Sequence, residues 1–128
     1  MQFPEPVLGN ESIARFMMES SKYRIGEMRV NYSAFMPAKD NILSVFRIDN
    51  LAHLEIVNMG QEFVATPQAR EVQAYGVVQA ANIFGQGLEM LATAEPHPRH
   101  VDVAGWTDKE ANRSRAQIIA EFATLVMK

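Results

Sequence analysis

Residues 88–106 read L-E-M-L-A-T-A-E-P-H-P-R-H-V-D-V-A-G-W. Two apolar runs, Leu88 to Leu91 and His100 to Val103, flank a short link stiffened by Pro96 and Pro98. A parallel crossover needs a dozen or more residues, so so short a link predicts an antiparallel pair. Such a pair among helical segments argues for an α+β domain. The same stretch concentrates polar tips on a stiff backbone, since His97, Arg99, His100 and Asp102 fall between Pro96 and Gly105, with the sole tryptophan, Trp106, directly after the glycine. A site is expected here.

Downstream, Thr107 caps a helix with Glu110 three residues on, and the apolar pattern carries it to about Val126. Its inner face is read as Ala111, Ile118 or Ile119, Phe122, and Leu125 or Val126. Upstream, Gly85-Gln86-Gly87 is a turn lacking the further glycines and lysine of a phosphate loop. Ala80 to Phe84 reads as one helical turn, and Gln73 to Gln79 as a strand. Asp49 or Asn50 caps a helix running to about Val64, and Pro67 ends it. Ile42 to Ile48, β-branched and aromatic, is the strongest strand and holds Arg47 near its carboxyl end. Val30 to Met36 is an extended run. Asn10 caps a helix over Glu11 to Glu19, where Ile13, Phe16 and Met17 recur at helical spacing. Residues 1–9 form an extended arm pinned by Phe3, Val7 and Leu8. The expected architecture is a single α+β domain over residues 1–128, with about four short strands, three or four helices and a long C-terminal helix.

Composition excludes several functions. A chain of 128 residues makes one domain. With 12 basic and 15 acidic side chains the net charge is −3, so no global field draws it to nucleic acid. Without cysteine there is no disulfide, thiol nucleophile or thiolate zinc site. No apolar run reaches the roughly 20 residues that span a bilayer, and no leader pattern opens the chain, which predicts a cytoplasmic protein without a membrane partner.

Arginine offers a fork of donors matching phosphate or carboxylate oxygens. Arg47, Arg99 and His100 at strand ends therefore read as a pocket for a phosphate-bearing partner, with His100 placed to move a proton. The alternative pairs each arginine with a local acid, Asp49, Asp102 or Glu95. Tyr23 inside the cluster Lys22, Arg24 and Arg29 reads as a ligand contact or a solvated loop. Trp106 is either a plug between the last strand and helix or a stacking platform. His97, His100 and Asp102 converge on a metal only if the prolines bend the chain, and no metal site is assigned. No serine elbow or carboxylate pair stands out. The terminal helix can close the core or form a homodimer seam.

Ser44-Val45-Phe46-Arg47, followed by a helix and later by P-R-H-V-D-V-A-G-W at 98 to 106, resembles short uncharacterised bacterial proteins associated with mobile elements and prophages. That resemblance implies a soluble single-domain protein and gives no activity; the surface of Arg47, Arg99 and His100 is what points to an accessory or regulatory domain that binds a protein or a small phosphate-bearing ligand. A shorter likeness is to ADP-ribosyltransferases, carried by Val45-Phe46-Arg47, Asp49, Ile56 and Gly60. It implies an enzyme acting on NAD or a nucleotide, with Arg47 on the phosphates or ribose. The serine-threonine-serine strand and the glutamate motif of those enzymes are missing here. No cofactor is assigned, and whether the chain is an enzyme stays open at this point.

Overall fold

The computed structural model describes residues 5–128. Among them lie β1 (Ser12–Met17), β2 (Tyr23–Arg24), β3 (Arg29–Val30), β4 (Leu43–Arg47), α1 (His53–Gly60), β5 (Ala74–Gln79), α2 (Ala80–Phe84), β6 (Glu89–Ala92), β7 (His100–Ala104), α3 (Lys109–Phe122) and β8 (Thr124–Met127). Six strands form one sheet in the order β6-β7-β4-β1-β5-β8, while β2 and β3 pair apart. Every neighbouring pair is antiparallel. The class is α+β, but the expectation of about four strands is corrected to eight.

The largest correction falls on the segment read as the first helix, which is β1 at the centre of the sheet. Ile13, Ala14, Phe16 and Met17 are all buried because both faces of the sheet are covered. A strand buried on both sides loses its alternation, and a short continuous apolar run cannot be told from a helix by period alone. The end of the last helix was overrun for a related reason. α3 stops at Phe122, Ala123 turns extended, and Thr124–Met127 returns along β5 with Leu125 opposite Gly76. β-branched Thr124 and Val126 suit that strand better than a helix.

Smaller shifts follow local hydrogen bonding. Part of Val30 to Met36 is a 3₁₀ turn, Tyr32–Phe35. The carboxylate of Glu55 accepts from the N–H of Ala52 at 2.9 Å and starts α1 at His53, after the expected cap. The chain then passes through a π turn, Gln61–Ala65, and a 3₁₀ turn, Thr66–Gln68. Asp108 rather than Thr107 caps α3, its Oδ1 accepting from the N–H of Ala111 at 2.9 Å. β6 and β7 pair antiparallel, with Met90 opposite Val103. In the N-terminal arm Val7 is buried and Leu8 exposed, while Phe3 lies outside the described residues.

The sheet has two covered faces. Ile13, Met17, Leu43, Val45, Val101, Val103 and Leu125 pack beneath Phe35, Ile83, Trp106, Ala116 and Ile119. On the other face Ala14, Phe16, Phe46 and Tyr75 meet Ile56, Val57 and Met59 of α1, with Ala65 and Val72 beyond. Of the alternatives Ile118 and Ile119 it is Ile119 that lies inside, while Phe122, also expected inside, faces outward and is 58% exposed.

Candidate functional site

Arg47 ends β4, His100 opens the adjoining β7 and Arg99 closes the turn just before it, where the N–H of Arg47 donates to the carbonyl of Arg99 at 2.9 Å. Their side chains do not share a mouth. Side chains alternate along a strand, so Arg47 follows Val45 onto the face under α3, while His100 stands beside Phe46 on the α1 face. Arg47 holds the carboxylate of Glu11 at 2.7 Å and donates to the carbonyls of Glu5 and Pro6 at 2.6 and 3.2 Å. Arg99 donates to the carbonyls of Arg47 and Asp49 at 3.3 and 3.0 Å. Both guanidiniums brace the chain around the end of β4.

The other expected contacts are dispersed. The indole N–H of Trp106 donates to the carbonyl of Val103 at 3.0 Å inside the core, which is the plug arrangement. The Tyr23 hydroxyl bonds Oε1 of Gln73 at 2.8 Å. Arg24 lines an open polar groove of about 550 Å³ between the β2–β3 ribbon and α3, with Arg29, Tyr32 and Glu121. Its charge is answered locally, since Glu27 stands 3.7 Å away. Among the described residues no group of three or more His, Asp or Glu side chains could hold a metal.

A different arginine stands where the sheet opens. β1 pairs with β4 only at Ile13–Arg47 and Ala14–Phe46, although its other edge stays paired with β5 from Ser12 to Met17. Beyond Ala14 the two strands part, and Arg15 occupies the gap. Its Nε donates to the carbonyl of Ala34 at 2.8 Å and its Nη1 to the carbonyl of Ser44 at 3.0 Å. Protein surrounds the guanidinium so closely that burial pulls its pKa down to about 10, while part of the side chain stays open. It is therefore cationic at neutral pH, and among the described residues no carboxylate forms an ion pair with it.

Nη2 of Arg15 makes no hydrogen bond to the described residues. Every fully buried side-chain nitrogen or oxygen among the described residues has a partner. Nη2 must therefore be reachable from outside. Two concavities meet at Arg15, with Met18 and Gln68 as their common wall. One, about 170 Å³, sets Arg15, Lys22 and Arg70 against the single carboxylate of Glu19. Glu19 pairs closely with Arg70, which holds its carboxyl below the usual range. The other, about 330 Å³, is walled by Phe46, Phe63, Val64, Pro67 and Pro96, with Ser44 and His100 as its polar tips.

His100 is fixed rather than mobile. Its Nδ1 lies 2.6 Å from the hydroxyl of Thr93, and its ring meets Phe46 edge-on at 5.2 Å. Burial lowers its pKa, against a smaller opposing pull from Asp102, 3.7 Å away. His97 is lowered likewise by burial and then by Arg99, and its ring meets Phe63 at 4.7 Å. Both rings are neutral at pH 7, and of the two only His100 lines the larger concavity.

Sequence reading missed Arg15 because a helix over Glu11 to Glu19 would turn it to solvent. The signal was present: one charged residue inside the run S-I-A-R-F-M. Phe63, Gln68 and Arg70 carry no such mark, because they reach the site only through the irregular turns after α1.

No protein-family model, curated protein or solved structure matches the chain. No helix among the described residues is long and apolar enough to cross a membrane.

Proposed function

We propose that the protein is a non-catalytic binding domain of an accessory kind, and that it captures an anionic group at Arg15. The observation that carries this reading is a guanidinium enclosed by protein, charged at neutral pH, paired with no carboxylate among the described residues, on a side chain that lines two open concavities. A charge held away from water is costly unless it is paired. Two backbone carbonyls satisfy its geometry without neutralising it. A carboxylate or phosphate oxygen on Nη2 would do both, and arginine is suited to such oxygens. Lys22 nearby adds to the field that attracts an anion, while the charge of Arg70 is answered by Glu19.

Thermal unfolding at matched ionic strength tests this. Phosphate or acetate should raise the melting temperature above that in chloride, because a ligand that binds only the folded state stabilises it. The rise should vanish in Arg15→Gln. An equal rise in the variant would show that the anions act elsewhere, and no rise in the parent protein would remove the reading.

A further inference from the structure

We infer that the ligand is a small aromatic acid, whose carboxylate lies on Nη2 of Arg15 and whose ring lies in the larger concavity against Phe46 and Phe63. The inference rests on the anion-binding reading above and adds the body of the molecule to its charge. Three features of the concavity support it. Its volume, about 330 Å³, is at the lower end of the range for small-molecule sites, too large for an inorganic ion alone. Three of its lining side chains are rings, Phe46, Phe63 and His100, and Phe46 meets His100 edge to face at 5.2 Å. A further ring entering between such walls gains area burial and the edge-to-face preference.

The third feature is the division of polarity. Arg15 brings the only charge certain at neutral pH to this concavity, since burial holds its one histidine, His100, below the usual value. The ligand therefore needs one anionic end and an otherwise apolar body. A nucleotide or a sugar phosphate fits less well, because its several hydroxyls would meet Val64, Pro67 and Pro96. Phe63 is only partly buried, so it can shift to admit a ring without opening the core.

Binding of acetate, benzoate and benzyl alcohol, followed by amide shifts in heteronuclear spectra, tests the inference. Benzoate should bind roughly tenfold or more tightly than acetate, from burial of its ring. Benzyl alcohol, of similar size but neutral, should bind at least tenfold more weakly than benzoate, from the missing charge. The shifts should centre on Ser44, Phe63 and Gln68. Phe63→Ala should bring benzoate down to the level of acetate and leave acetate unchanged, whereas Arg15→Gln should weaken both. Acetate binding as tightly as benzoate would overturn the aromatic body and leave the anion reading standing. Benzyl alcohol binding as tightly as benzoate would overturn the anion reading itself. Shifts centred elsewhere, or none with any probe, would overturn both, and that result needs no variant to fold.

Discussion

Arg47 grips Glu11 through two parallel bonds, Nε to Oε1 at 2.7 Å and Nη2 to Oε2 at 2.8 Å, with both side chains nearly enclosed. The pair ties the end of β4 to the residue before β1, at the point where those strands are still joined. It also assigns Arg47 a structural task and separates it from Arg15, which lies two residues past its ladder partner Ile13.

Arg47→Ala should therefore act on stability. It strands the Glu11 carboxylate and removes the donor to the carbonyls of Glu5 and Pro6, a loss on the order of 3 kcal/mol for a buried pair broken on one side. Urea denaturation should show the midpoint fall, while benzoate binding to the folded fraction persists. A variant of unchanged stability that no longer binds anions would return Arg47 to the ligand-contact role suggested by its place beside Arg99 and His100 in sequence-based reasoning.

Stability should fall with acid in two stages. His97 and His100 are held below the ordinary histidine value of 6.5, so the unfolded chain takes up protons that the folded one refuses. Their contribution is complete above about pH 6.5 and declines as pH drops through that value towards their lowered folded values. Glu11 is held below the usual 4.5, chiefly by the hydrogen bond from Arg47, so its contribution is present above about pH 4.5 and is lost as pH falls through the lowered value. Melting temperatures from pH 8 to pH 3 should trace both arms. The double variant His97→Asn, His100→Asn should flatten the upper arm alone; an unchanged slope would place its source in other groups.

How much of this was readable depends on how each element meets its neighbours. β4, β5, β6 and β7 have β-rich composition bounded by turns, so their positions follow from local pattern. β1 and β8 do not, because their character is set by what covers them: β1 lies between two layers, and β8 exists only because β5 offers an edge. The site suffers doubly, since Arg15 depends on the fate of β1 and Phe63 on a π turn that no periodicity announces. Arg47, Arg99 and His100 stand on neighbouring segments, but alternation across the sheet sends the arginine at 47 and the histidine at 100 to opposite faces.

The inner face of α3 gives a direct comparison of the two readings. Ile119 is wholly buried and Phe122 is 58% exposed. Ile119→Ala should cost about 2–5 kcal/mol, from lost transfer and the cavity left behind. Phe122→Ala should stay within about 0.5 kcal/mol, as for other exposed positions. Chemical denaturation of the two variants measures both. The reverse order of costs would restore the inner face drawn from periodicity, with Phe122 inside.

Gly60 closes α1 directly against Phe16 of β1. A Cβ at this position would lie 2.4 Å from Cδ1 and Cε1 of the Phe16 ring. That ring cannot step aside cheaply, since Phe46 stands 5.6 Å from it and Tyr75 5.9 Å, all three in the buried layer beneath α1. In an exposed helix, replacing glycine by alanine gains up to about 1 kcal/mol. Here the sign should reverse, with overpacking costing roughly 1–3 kcal/mol before that gain is returned. Gly60→Ala should therefore lower the melting temperature, and Phe16→Leu in the same chain should recover part of the loss by freeing the space. A single variant more stable than the parent would mean that α1 does not press on Phe16 at this distance, and the packing of the whole α1 face would need to be redrawn.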